Sequence, residues 1–150
     1  MKYLMIALAA LFSLTLSTPS AYADSDPIYT SWRNNTAVGG FDSVSFFSGK
    51  PLEGNKDFAA EYKGATWHFA TRANLDLFTA NPEAFAPQYG GYCAWALAQG
   101  KLAKGSPKHW TVLDGRLFLN FNARVQRDWE ADKDDFIIDA DKRWPNILMD

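Results

Sequence analysis

Apolar positions change their spacing several times along this chain, and each change marks an element. Phe58, Ala60 and Tyr62 alternate with polar partners, Lys63 and Gly64 can turn the chain, and Trp67 and Phe69 alternate again. Residues 58–69 therefore predict a β-hairpin. Trp67 and Phe69 share one face of its second strand, which puts His68 on the other with Thr66 and Ala70. Thr71 follows as the N-cap of a helix burying Leu75, Leu77 and Phe78. Asn81 and Pro82 start a second short helix through Phe85, and Pro87 stops it. Residues 92–99 are apolar or small nearly all round, which predicts a buried helix ended by Gly100.

Asp114 and Gly115 separate Trp110–Leu113 from Arg116–Phe121, the strongest hairpin signal in the chain. A two-residue turn pairs Val112 with Leu117 and Trp110 with Leu119 on the core face, and His109 with Asn120 on the opposite face. Asn122 caps a helix carrying Val125 and Trp129, and a last helix with Phe136, Ile137 and Ala140 runs to Trp144, where Pro145 ends it. Val44–Phe47 reads as a short strand closed by the turn cluster Ser48–Pro51. The expected architecture is α+β: one small domain of two β-hairpins packed with several short helices. No internal repeat and no low-complexity tract is evident.

The two ends differ from this pattern. Lys2, the apolar stretch Leu4–Leu16 and Ala21-Tyr22-Ala23 together predict a signal peptide over residues 1–23, cleaved after Ala23. The stretch is shorter than the roughly 20 residues that span a bilayer. The single cysteine lies far from the cleavage site, so no lipid anchor is expected. These features place the chain in the periplasm or outside the cell, without a stable membrane anchor. Residues 24–36 are polar with scattered aromatics and read as an N-terminal extension, leaving 37–150 as the domain.

Composition narrows the function classes. With 15 Lys+Arg against 17 Asp+Glu, the formal net charge is −2, and no basic cluster is present, so nucleic acid is not an expected partner. One cysteine excludes an internal disulfide, and 11 Phe, 6 Trp and 6 Tyr must supply the core instead. No Ser/His/Asp pattern, P-loop or Rossmann fingerprint appears, so an ordinary enzyme mechanism has no support in the sequence.

The chemistry that remains centres on Cys93, in the run Pro87-Gln88-Tyr89-Gly90-Gly91-Tyr92-Cys93-Ala94-Trp95. At a helix start its thiol feels the positive end of the dipole, which favours thiolate, while Trp95 and Leu97 oppose this by excluding water. Cys93, His68 and His109 form the candidate metal set, since thiolate and imidazole suit copper or zinc. A blue-copper loop is excluded, because Ala94–Lys104 contains neither His nor Met. The acidic run from Asp128 to Asp135 is not an EF-hand, as Ile137 stands where glycine is required. The alternative reading gives Tyr89, Gly90, Gly91 and Trp95 to an aromatic pocket for a small molecule or a protein partner.

Several blocks occur in one order: AVGGFDSVSFF (37–47), YKGATWHFAT (62–71), ANLDLF (73–78), NPEAFAPQYGGYCAWALA (81–98) and WTVLDGRLFLN (110–120). Together they resemble exported YHS-domain proteins over Ala37–Ile147. The family is similar to small domains of heavy-metal and copper-handling proteins, so the resemblance implies a periplasmic or secreted metal-binding module. In those relatives the second hairpin strand ends in phenylalanine followed by cysteine. Here Ala70 follows Phe69, so that ligand is missing, and His68 on the same side of the strand would take its place.

Overall fold

Both hairpins form. In the computed structural model, which describes residues 25–150, β1 (Asn55–Tyr62) pairs antiparallel with β2 (Ala65–Phe69), and β3 (Ser106–Leu113) with β4 (Arg116–Asn120), as two separate sheets. Both turns hold positive φ at their two central residues, 48° and 79° at Lys63-Gly64, 50° and 72° at Asp114-Gly115, which suits the twist of the strands. Val112 faces Leu117 and Trp110 faces Leu119, as the spacing predicts. The register does not continue to His109. Asn120 pairs with Ser106 instead, and residues 107–109 leave the ladder, where Pro107 has no N–H to offer it.

The helices are α1 (Arg72–Ala80), α2 (Pro82–Phe85), α3 (Ala94–Ala98), α4 (Ala123–Glu130) and α5 (Lys133–Arg143). Thr71 Oγ1 accepts from the Asn74 N–H at 3.1 Å and Asn122 Oδ1 from the Val125 N–H at 2.9 Å, so these two expected caps are made, whereas the Asn81 side chain makes no cap bond to α2. α3 is shorter than expected, with Cys93 as its N-cap. Val44–Phe47 is not a strand. Asp42 Oδ1 accepts from the N–H groups of Val44 and Ser45, and the Ser45 hydroxyl donates to the Asp42 carbonyl, which bends the chain into a 3-10 turn over Ser45–Ser48. Residues 25–36 are packed into the domain: Ile28 is buried, Thr30 bridges Ala37, and Thr36 bridges Thr66. The leader reading over 1–23 lies outside the described residues. No described helix is long and apolar enough to cross a membrane.

The chain contains an internal repeat after all. Asn55 and Ser106 open the two long strands 51 residues apart, and the same step relates the bulges, the turns, β2 to β4, the caps Thr71 and Asn122, and the starts of α1 and α4. It extends upstream. Val38-Gly39-Gly40 has φ of 52°, 59° and 86°, and Tyr89-Gly90-Gly91 has 57°, 62° and 88°. The bridge Phe41 to Glu53 recurs as Tyr92 to Lys104, and the bond from Asp42 N to Leu52 O recurs from Cys93 N to Ala103 O. The fold is thus one unit used twice. Its sequence trace is thin, mainly glycines at 39, 40, 49, 54 and 64 matched at 90, 91, 100, 105 and 115.

Two hydrophobic clusters follow from the two units. One gathers Phe46, Trp67, Phe69 and Phe78, the other Tyr89, Leu97, Phe118 and Trp129. β4 joins them, because Leu117 and Leu119 enter the first cluster while Phe118, on the opposite face, enters the second. Two small antiparallel sheets and several short helices make this a single small α+β domain.

Candidate functional site

Cys93 is 1% exposed. Its N–H is fixed to the Ala103 carbonyl at 2.8 Å, its carbonyl accepts from Leu97 at 3.0 Å, and its Sγ faces Asn120 Oδ1 at 3.6 Å. Burial pushes the thiol above its ordinary range, against the N–H groups of Ala96, Phe121 and Trp95, which favour the ionised form. The competition left open by the sequence is therefore decided by loss of water.

His68 and His109 lie elsewhere. His68 is half-buried on β2, opposite Ala59, on the face away from the Trp67 and Phe69 rings and so away from the core layer that contains Leu119. His109 is half-buried in the β3 bulge. Among the described residues no group of three or more His, Cys, Asp or Glu side chains is placed to hold a metal ion. A soft cation needs an ionised sulfur and converging imidazoles, and this donor arrangement does not fit one.

The pocket residues divide. Tyr89 and Gly90 line a cleft of about 620 Å³, whereas Gly91 and Trp95 do not. Gly91 is buried and accepts from the Gly105 N–H through its carbonyl, and Trp95 packs against the second cluster. Pro27 and Ile28 form one wall of the cleft, Tyr62 and Lys63 at the first hairpin turn another, and Glu83, Ala86 and Pro87 around α2 a third. Trp144, Pro145 and Leu148 close it. Gly90 has to be glycine here: its φ is 62°, and a Cβ would run into the Pro27 carbonyl oxygen.

Tyr89 anchors the floor. Its hydroxyl donates to Asp141 Oδ1 at 2.8 Å, and the Arg116 guanidinium meets the same carboxylate at 2.7 Å and 3.1 Å while also donating to Gln88 Oε1. Burial, reinforced by Asp141, holds the Tyr89 phenol well above its ordinary range, so it is a neutral donor. Its ring lies 6.1 Å from that of Trp144. The mouth carries one exposed ion pair, Lys63 to Glu83 at 3.7 Å.

Residues 44–89 match the family model of the YHS domain. The chain carries a YHS domain. No curated protein and no solved structure matches it. The matched span of the YHS domain covers most of the first unit and ends on Tyr89, so seven wall and floor residues of the cleft, from Tyr62 to Tyr89, fall inside it. Sequence reasoning missed Trp144, Leu148 and Pro27 as lining. Nothing local marks them, because they reach the cleft from the two ends of the chain. It also missed Asp42 and Asn120, both fully buried: alternation puts Asn120 on the face opposite Leu117 and Leu119, and that face is covered by the second cluster.

Proposed function

We propose that this YHS-domain protein is a binding module, and that the cleft over Tyr89 takes a small, mainly apolar molecule with an aromatic or planar part. The cleft carries the reading. Its volume of about 620 Å³ is of the size that encloses a small molecule, and its lining is predominantly carbon with few polar groups. Tyr62, Tyr89 and Trp144 offer ring faces and edges, Gln88 is held in place by Arg116, and Lys63 and Glu83 meet the ligand at the rim. Metal binding, which the resemblance implies, lacks a converging donor set and is the competing outcome of the test.

Purified protein is titrated with a naphthalene sulfonate dye and a set of small aromatic acids and amines, followed by dye and tryptophan emission. We expect saturable one-site binding that Glu83→Phe, at the exposed rim, weakens at least tenfold while leaving the melting temperature unchanged. Absence of saturable binding by every probe overturns the reading. Stoichiometric Cu(I) or Zn(II) uptake abolished by Cys93→Ala would give the function to the metal instead.

A further inference from the structure

The repeat equates Asp42 with Cys93, and the surroundings of the two residues correspond group by group. The Asp42 carboxylate is fully buried and accepts from Val44 N at 2.9 Å, Ser45 N at 3.3 Å, Ala70 N at 2.9 Å and the side-chain amide of Asn74 at 2.7 Å. Beside the Cys93 sulfur is Asn120 Oδ1, which also accepts from Trp95 N, and the N–H groups that favour an ionised sulfur, those of Trp95, Ala96 and Phe121, are each one repeat step beyond Val44, Ser45 and Ala70. Those three donors are built into the backbone of the unit. They form a cage for a two-oxygen anion, and in the second unit the cage holds a neutral thiol.

The fourth donor is also present, from another position. Val125 replaces Asn74 and supplies nothing, but Asn120 replaces Phe69 and brings a carboxamide against the sulfur. Asn120 is 0% exposed, and its Nδ2 has no hydrogen-bond partner. An unpartnered buried amide N–H is costly, and here it belongs to the group that touches Sγ. Trp95 N donates to Asn120 Oδ1 at 3.1 Å, so turning the amide over would free that N–H as well as aim Nδ2 at the sulfur. The second unit thus holds one unpartnered buried donor, Asn120 Nδ2, beside the sulfur where the first unit's donors serve a carboxylate.

We infer that Cys93 is an oxidative modification site, at which a hydroperoxide converts the thiol to the sulfinate and the cage holds the product as it holds the Asp42 carboxylate. The sulfur, as thiolate, attacks one peroxide oxygen; the O–O bond breaks, an S–O bond forms, and the second oxygen leaves as water after taking a proton. A second peroxide repeats the step on the sulfenic acid. One thiol and two hydrogen peroxide give one sulfinic acid and two waters, the sulfur losing four electrons and each peroxide gaining two; the acid then gives up its proton to solvent. The chain has no second cysteine to divert the sulfenic acid into an internal disulfide. Because the sulfur is sealed, the peroxide reaches it only when the Tyr92–Ala98 stretch opens, so the reaction is slow.

The full chain is exposed to hydrogen peroxide and followed by intact mass and peptide mapping. We expect a plateau about 32 Da heavier with both oxygens on Cys93. The oxidised protein should melt at or above the temperature of the reduced one. In Asn120→Leu, which removes the spare amide, oxidation should lower the melting temperature by at least about 5 °C relative to the reduced variant. Cys93→Asp, a stable analogue of the product, should melt no lower than Cys93→Ala. A plateau about 48 Da heavier, the sulfonate, no adduct on Cys93, or a Cys93→Asp that fails to fold where Cys93→Ala folds would each overturn the proposal.

Discussion

Replacing Asp42 by alanine removes an acceptor that four donors share, and the structure sets the size of the loss. Val44 and Ser45 are buried, so their N–H groups are left without water or partner; Ala70 and Asn74 are half-buried and can be partly rehydrated. An orphaned buried donor costs about 1–3 kcal/mol. Two full losses, reduced for the long 3.3 Å bond from Ser45, and two partial ones come to about 4 kcal/mol, at the upper end of single substitutions. For a domain of this size that lowers the melting temperature by about 15 °C. Asp42→Asn keeps one acceptor oxygen but turns a donor toward Ala70 N and Asn74 Nδ2, so its loss should be about half as large. Thermal melts by circular dichroism, checked by urea titration, read both variants. An Asp42→Ala protein melting within about 4 °C of the parent would show that the carboxylate does not hold this loop.

Gly90→Ala should lower stability by about 3 kcal/mol, since positive φ and the Pro27 carbonyl both oppose a side chain, whereas Gly115→Ala, facing open space, should cost about 1 kcal/mol; urea melts separate the two. Tyr89 and Cys93 both have folded-state pKa values raised above their ordinary values of 10.0 and 9.0, so each contributes stability that is complete below that value and lost as pH rises past it. Stability measured between about pH 9 and 11 should therefore fall, and Tyr89→Phe should flatten the part above about pH 10. Cys93 should react with a disulfide reagent at least 100-fold more slowly than a free thiol at neutral pH, and at the free rate in urea; fast labelling of folded protein would contradict its burial. Trp129→Ala should cost about 4 kcal/mol, seen as a large drop in melting temperature, because the ring is fully buried against Phe118.

Local signals carried much of the fold. Asp114-Gly115 gave both the turn and the pairing of Val112 and Trp110, and Thr71 and Asn122 started their helices where expected through bonds a few residues long; α2 also starts at Pro82, but the Asn81 side chain makes no cap bond. Val44–Phe47 misled because its apolar run resembles a strand while the decisive bonds come from the Asp42 and Ser45 side chains. The bulges at 56–58 and 107–109 interrupt the ladder inside β1 and β3, and an alternation of apolar and polar residues does not mark where a ladder is interrupted. The repeat escaped notice since backbone geometry is shared at positions where side chains differ, Asp for Cys at 42 and 93, Phe for Asn at 69 and 120. Of the candidate site, Tyr89 and Gly90 were legible from their place beside Pro87, whereas Trp144 and Leu148 reach the cleft through the tertiary fold.

The N–H of Ser25 donates to the carbonyl of Leu148 at 2.9 Å, and Leu148 also borders the cleft. Ser25 and Leu148 thus lie together at a single edge of the molecule, next to the opening. A bulky group attached at Asp150, two residues beyond Leu148, stands beside that doorway and shades it. Immobilised assays of ligand capture should accordingly leave that edge bare.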